Sequence, residues 1–205
     1  MLVGTSISYR NIGWEALSGK WGNAAMFTLV YLLIAMGLTT VESQIWEYSI
    51  ISTLLLMPVQ YGYVIAFLDS LRSGEDFNIK SLFGGYNDWS RITGTYLLVQ
   101  IFTVLWMLLL IVPGIIKAIS YSQTFYVLKD NPSLSYNAAI ERSMEMMQGH
   151  KWEYFCLYFS FIGWILLVII SFGVASLWVS PYMSATFAGY YEKLKAEYEN
   201  NKTAA

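Results

Sequence analysis

The chain has few charged residues for its size. Asp, Glu, Lys and Arg make up 13% of its 205 residues, whereas hydrophobic residues make up 56%. Soluble globular domains carry about 25% charged residues. The few charges here lie in short patches between long uncharged runs, which argues against a soluble domain and indicates lipid surroundings. A formal net charge of −2 without a long Lys/Arg run offers no basic surface for nucleic acid.

Cysteine and histidine each occur once. Cys156 alone cannot form an internal disulfide, and His150 alone cannot supply the ligand set of a zinc site. The sequence also has no nucleophile motif beside a base and no glycine-rich phosphate loop. We therefore expect no catalytic residue, no metal and no cofactor. An enzyme stays the least favoured alternative, and His150→Ala is its simplest probe.

The first long uncharged runs predict membrane-spanning helices. A spanning helix needs about 20 apolar residues, and 21–41 and 48–68 each provide 21 uncharged residues. The next uncharged run is interrupted by Pro113-Gly114, because proline disfavours helical geometry in the residue before it. We predict a third span at 92–112 and a short fourth span at 114–128.

The last uncharged run is too long for one helix. It extends over 38 residues, 154–191, and one straight helix of that length would measure about 57 Å, nearly twice the hydrocarbon thickness. Gly173 divides the run into spans at 154–172 and 174–191. The predicted fold is an all-α membrane bundle of six transmembrane helices and a single domain.

The positions of the basic residues predict the orientation of this bundle. With six spans, the segments 1–20, 69–91, 129–153 and 192–205 share one side and hold eleven of the twelve Lys and Arg residues. Short cytoplasmic loops collect such residues, so both termini are predicted to be cytoplasmic. Only Lys117 falls on the far side. If 114–128 lay in the interface instead, five spans would remain and many basic residues would change sides.

Two of the cytoplasmic segments have the apolar spacing of amphipathic helices. The stripes consist of Ile7, Trp14, Leu17 and Trp21, and of Tyr136, Ile140, Met144 and Met147. Each stripe is explained by a helix lying on the membrane or under the bundle. A docking face for a partner helix is the alternative.

The last predicted span carries small residues at every fourth position. These are Ser176, Ser180, Ser184 and Ala188. Small residues on one helix stripe allow close approach in lipid, either inside one protomer or between copies in a homo-oligomer. Pro58 and Pro181 join Pro113, Gly114 and Gly173 as predicted helix breaks.

Several polar side chains fall inside the predicted spans. A buried amide without a partner is costly in hydrocarbon, so the three glutamines should point inward. They form interhelical hydrogen bonds or line an intramembrane polar site with neighbouring hydroxyls. The candidate set is Gln60, Gln100, Gln123, Ser120, Ser122 and Thr124. No span has an ionisable residue at its middle, which disfavours a proton- or ion-coupled carrier.

Several motifs resemble those of a bacterial membrane family catalogued as domain of unknown function 975. They are Gly19-Lys20-Trp21, Leu82-Phe83-Gly84-Gly85-Tyr86, Pro113-Gly114-Ile115-Ile116-Lys117, Ser120-Tyr121-Ser122, Phe125-Tyr126, Asp130-Asn131-Pro132, Ala139-Ile140, Ser143, Met147-Gln148-Gly149-His150-Lys151, Ser160-Phe161-Ile162-Gly163-Trp164, Pro181-Tyr182 and Tyr190-Tyr191.

The resemblance covers nearly the whole chain and implies a multi-span protein of the bacterial cytoplasmic membrane. It implies no activity, substrate or catalytic residue. The architecture is also similar to the membrane regions attached to some bacterial glycerophosphodiesterases, an analogy that hints at lipids but does not set function.

Two hypotheses of function follow. The leading one is a non-catalytic scaffold or accessory component that engages a membrane or cytoplasmic partner, because a catalytic set is missing while amphipathic segments and a small-residue stripe are present. The second is a transporter, channel or lipid-handling protein that uses the polar site between the helices.

Overall fold

A computed structural model of the protein describes residues 2–44 and 49–204. The predicted start of the second span at Tyr48 lies outside the described residues, as does 45–47 of the loop before it. Within the described residues the fold is all-α and contains no strand. The α-helices are α1 (Leu2–Ala16), α2 (Trp21–Gln44), α3 (Ser49–Ser73), α4 (Trp89–Leu109), α5 (Ile111–Tyr121), α6 (Thr124–Asp130), α7 (Tyr136–Met146), α8 (Lys151–Phe159), α9 (Ile162–Ile170) and α10 (Ser176–Ala204), and a 3₁₀ segment occupies Ile79–Asp88.

Four described stretches are long and apolar enough to cross a membrane. They are Trp21–Leu38, Ile51–Ser73, Ile79–Leu109 and Lys151–Ile170. The all-helical class is therefore confirmed, together with apolar helices of spanning length, whereas the count of six spans is not confirmed. The predicted fourth span is divided between α5 and α6, and the predicted sixth span is the first part of α10.

The chain reverses direction three residues before the predicted break at Pro113. Leu110 is extended, with φ −158° and ψ 133°, and separates α4 from α5. Pro113 then lies in the first turn of α5, where the missing N–H has no intrahelical partner to lose. At Gly173 the prediction is correct: its φ of 90° forms the turn between α9 and α10.

Neither Pro58 nor Pro181 interrupts its helix, because α3 and α10 continue through these prolines, and a kink at Pro181 stays a prediction. A proline removes one backbone hydrogen bond and crowds the preceding turn without necessarily ending the helix. In α3 the Tyr86 hydroxyl donates to the Leu55 carbonyl at 2.6 Å. A side chain from the 3₁₀ segment thus satisfies a carbonyl in the turn that Pro58 disturbs.

Helix α1 lies along α10 in the opposite direction. Ser8 approaches Lys193, Tyr9 packs on Tyr190, and Trp14 packs on Tyr182. The predicted boundary at residue 191 is not a helix end, since α10 continues to Ala204. Residues 192–204 of the predicted cytoplasmic tail are therefore an extension of the last helix.

Lys20, the residue before α2, donates hydrogen bonds at the C-terminal end of α3. The Lys20 ammonium donates to the carbonyls of Gly74 and Glu75 and lies 3.4 Å from the Ser70 hydroxyl. A cation suits this position because the last carbonyls of a helix carry partial negative charge. Aromatic packing of Phe27 against Tyr63 and Phe67 then joins the two helices.

Lys117 does not lie where the predicted topology places it. Its ammonium is 3.8 Å from the Met144 sulfur in α7, within the segment 129–153 that is predicted to be cytoplasmic. One helix turn further along α5, the Ser143 hydroxyl donates to the Ser120 carbonyl at 2.8 Å. A membrane cannot separate groups in direct contact, so Lys117 shares a side with α7.

Candidate functional site

A polar cavity of about 320 Å³ lies between α4, α5 and α6. It brings together three of the six predicted polar-site residues: Gln100, Ser122 and Thr124. Tyr96 and Thr103 add hydroxyl groups to the same lining. Three of the predicted residues thus meet at one cavity, and the intramembrane polar site itself stays a prediction.

The other predicted polar residues have separate positions. Ser120 is buried and donates to the Ile116 carbonyl of its own helix at 2.8 Å. Gln60 is on α3 and is not part of the cavity lining. Gln123 is fully buried, and its Nε2 donates to the Ser122 hydroxyl at 2.8 Å. Its Oε1 has no hydrogen-bond partner among the residues that the structure describes.

A second and larger cavity lies between α5 and α8. We call it the apolar groove; it measures about 510 Å³. Its lining residues are Met107, Ile115, Ala118, Ile119, Ser122, Tyr154, Phe155, Tyr158 and Phe159. Ala118 of α5 and Ser122, which follows α5, line both the groove and the polar cavity, so the two cavities adjoin each other.

The apolar groove continues toward the first residue of α8. An adjoining cavity of about 460 Å³ shares Ile115, Ile119 and Phe155 with the groove and is also lined by Lys151 and Trp152. Within the described part of the chain, the Lys151 ammonium has no ion-pair partner. The aliphatic stem of Lys151 thus lines one end of this apolar surface.

The small-residue stripe of α10 packs inside the protomer over much of its length. Ala188 is fully buried, and an added Cβ at the adjacent Gly189 would lie 2.6 Å from Ile12. On α1, a Cβ at Gly13 would lie 2.7 Å from the Thr186 backbone nitrogen. Close approach of α1 and α10 therefore explains these small residues. Ser176 instead donates to the Gly173 carbonyl at 2.6 Å, while Ser180 and Ser184 are half-buried.

The predicted docking stripes are also largely used within the chain. In α7, Ile140 and Met147 are buried, and only Tyr136 of that stripe is exposed. In α1, Leu17 is buried whereas Ile7 and Trp14 are about half exposed. Packing under the bundle accounts for α7 without a partner helix.

A cluster of ion pairs joins the ends of α3 and α6 to the middle of α10; we call it the Asp130 cluster. Arg72 donates to both carboxylate oxygens of Asp130, at 2.7 and 2.8 Å, and to Glu192 at 2.6 Å. Lys195 and the Tyr191 hydroxyl each lie 2.8 Å from Asp130 Oδ2. Burial acts to raise the pKa of Asp130, but the hydrogen bonds from Arg72, Lys195 and Tyr191 outweigh it and hold that pKa well below its ordinary value.

Sequence reasoning missed the apolar groove and the Asp130 cluster. Arg72, Asp130 and Lys195 are each separated by about 60 residues in the chain, so no local spacing indicates that they meet. The residues that line the groove are mostly apolar, and apolar residues also occur where helices contact lipid. Composition therefore does not distinguish the groove from a lipid-facing surface. A run of aromatic residues in α8, at Tyr154, Phe155, Tyr158 and Phe159, is the one signal in the sequence for the groove.

Residues 2–44 and 49–204 form an all-helical fold in which four stretches are long and apolar enough to cross a membrane. The family model described as "Protein of unknown function (DUF975)" matches residues 1–121 and 99–198. The chain therefore belongs to this family, as its motifs predict. No curated protein and no solved structure matched the chain significantly.

Proposed function

We propose that this protein is an integral membrane protein that binds a lipid in the apolar groove without chemically changing it. This develops the second hypothesis, lipid handling, in preference to a scaffold. The observation that carries it is the arrangement around α5, where an apolar groove and a polar cavity share Ser122. Ligand sites are commonly concave and mostly apolar, with a few convergent polar groups.

The groove suits an acyl chain. Its volume of about 510 Å³ and its lining of aliphatic and aromatic side chains match a flexible hydrocarbon, and each buried CH₂ contributes about 0.8 kcal/mol. The adjoining cavity places Lys151 and Trp152 at one end. From this end a lysine stem can extend its ammonium to an anionic headgroup at the interface, so the proposed ligand is an anionic lipid.

The proposed setting is the bacterial cytoplasmic membrane, with both termini on the cytoplasmic side. The distribution of basic residues supports this orientation, since eleven of twelve Lys and Arg residues occur in the segments proposed to be cytoplasmic. The Asp130 cluster then lies on that side, where water and ions surround its exposed edges. The scaffold hypothesis stays a prediction, and mild cross-linking in native membranes followed by purification tests it.

Filling the groove should reduce lipid binding. Ile115 lines the groove and its extension and is 41% exposed, so Ile115→Trp adds volume there with little strain on the core. Displacing about two methylene groups of ligand from the groove weakens binding about tenfold. Titration of the purified protein with pyrene-labelled phosphatidylglycerol in detergent measures the change in Kd.

Leu105→Trp is the matched control, because Leu105 is 56% exposed on α4 and does not line the groove. It should leave the Kd unchanged. Lys151→Gln should weaken phosphatidylglycerol binding about fivefold, because one exposed ion pair contributes up to about 1 kcal/mol. It should spare pyrene-labelled phosphatidylcholine. Equal affinities for Ile115→Trp and Leu105→Trp would count decisively against the groove as a lipid site.

A further inference from the structure

We propose that the α4–α5 hairpin is re-entrant: it enters and leaves the bilayer on the side of α7, and its tip ends in the hydrocarbon of that leaflet. The inference rests on contacts that fix the base of the hairpin and on its length. It needs the membrane setting proposed above but not the lipid ligand, so the two proposals fail separately.

The tip of the hairpin is apolar and exposed. Residues 107–116 contain no charged side chain, and the exposed fractions of Leu108 and Ile111 are 79% and 72%. Exposed apolar surface of this extent marks a contact with protein or lipid. No polar residue is present to hold the tip in water on the far side.

The turn at the tip is suited to a dry environment. Leu110 donates to the Trp106 carbonyl and Gly114 donates to the Leu110 carbonyl, both at 3.0 Å. A Cβ added at Gly114 would lie 2.4 Å from Met107 Cγ, so the two helices touch immediately below the turn. Backbone groups in hydrocarbon must be satisfied internally, and these two bonds pair the carbonyls of Trp106 and Leu110 at the turn.

The base of the hairpin lies beside α7. The Lys117 ammonium contacts Met144 and lies 5.1 Å from the centre of the Trp106 ring. The next residue after Met144 is Glu145, which accepts a hydrogen bond of 2.8 Å from the Tyr198 hydroxyl in the extension of α10. Trp106, Lys117 and the charged groups of α7 and α10 thus form one continuous layer.

Lys151 independently places the tip close to this layer. Val112, one residue before Pro113, lines the same cavity as Lys151 and Trp152 at the start of α8. That cavity has a volume of about 460 Å³, too small to extend across a bilayer whose hydrocarbon is about 30 Å thick. Lys117 on α5 and Lys151 on α8 therefore both lie within a short distance of the tip.

The length of α5 sets the depth. From Leu110 to Lys117 the chain advances seven residues, or about 10 Å as a helix. The hydrocarbon of a whole bilayer is about 30 Å thick, and a lysine can extend its stem to reach the interface. With Lys117 at the interface beside α7, the tip reaches into one leaflet and stops short of the far interface. Helix α4 has 21 residues and measures about 30 Å, so in this arrangement it lies oblique to the membrane normal.

Single cysteines in the full chain test which side the base occupies. In a Cys156→Ala background, Lys117→Cys should react with a membrane-impermeant maleimide in inverted membrane vesicles and not in intact spheroplasts. Ser43→Cys, in the predicted outer loop, and Ala204→Cys at the C-terminal end report the two faces. If Lys117→Cys instead reacts in intact spheroplasts as readily as Ser43→Cys, the proposal is overturned. That result would support a hairpin that crosses the membrane completely.

The depth of the tip is measured with Ile111→Cys carrying an environment-sensitive fluorophore in proteoliposomes. The re-entrant hairpin predicts stronger quenching by lipids brominated deep in the acyl chain than by lipids brominated near the headgroup. It also predicts no maleimide reaction from either face until detergent is added. Strongest quenching near the headgroup, or reaction from either face in intact membranes, would contradict a tip held in hydrocarbon. An unchanged elution profile and melting temperature establish that each variant is folded.

Discussion

Asp130→Asn is expected to lower the free energy of unfolding by about 2 to 4 kcal/mol. The Asp130 side chain is 8% exposed and accepts hydrogen bonds from Arg72, Lys195 and Tyr191. Asparagine keeps the shape but removes the charge, which leaves Lys195 without its closest anion. Arg72 keeps Glu192 at 2.6 Å, so the loss is smaller than for a wholly uncompensated charge. Denaturant unfolding in detergent, followed by tryptophan fluorescence, measures it.

Glu199→Gln is the matched control for the Asp130 variant. Glu199 also faces Lys195, but at 4.0 Å and with 57% of its side chain exposed. Exposed pairs of this kind contribute little to stability, and a change below about 0.5 kcal/mol is expected. Similar losses in the free energy of unfolding for the two variants would show that the Asp130 cluster stabilises the fold no more than an exposed ion pair does.

The pH dependence follows from the lowered pKa of Asp130. A carboxyl group whose pKa is lower in the folded state stabilises the fold at pH values above its unfolded pKa, which is about 3.9. That contribution is lost as the pH falls through the pKa of the folded state. The surrounding groups are Arg72, Lys195, Tyr191 and Glu192. The wild-type protein should therefore lose stability below about pH 4 more steeply than Asp130→Asn.

The apolar helices were predictable from the sequence because hydrocarbon selects for composition and length. Residues 21–41 show this: the run is uncharged, and α2 begins at Trp21 as the prediction has it. The depth at which a helix lies in the membrane was less predictable from the sequence. Lys117 looked like the start of a span because its neighbours are apolar, and only its contact with Met144 fixes its side.

The polar site was partly predictable for the same physical reason. Polar groups among apolar helices must find partners, which correctly drew attention to Gln100, Ser122 and Thr124 around one cavity. Composition does not determine which helix faces meet, so Gln60 was grouped with them although it is not part of that lining. The Asp130 cluster was not predictable, since it depends on the ends of α3 and α6 meeting the middle of α10 in space.

Gly85→Ala is expected to destabilise the fold by about 3 kcal/mol, because Gly85 is pressed against the backbone of α3. A Cβ at this position would lie 2.4 Å from the Pro58 oxygen and 2.9 Å from its Cα. Neither atom is the end of a flexible side chain, so the 3₁₀ segment must move away. Movement would also break the hydrogen bond from the neighbouring Tyr86 hydroxyl to the Leu55 carbonyl, now 2.6 Å. The melting temperature in detergent measures the loss.

Gly84→Ala tests whether close approach is the cause. Gly84 precedes Gly85 in the same 3₁₀ segment, a Cβ there meets no atom within 4 Å, and neither glycine has a positive φ. The two substitutions therefore make the same chemical change to the unfolded chain, and their difference reports contact with α3. Gly84→Ala should be neutral or slightly stabilising. Equal melting temperatures for the two variants would mean that the 3₁₀ segment does not pack on Pro58. A lower melting temperature for Gly85→Ala alone supports packing of the 3₁₀ segment on the turn of α3 that contains Pro58.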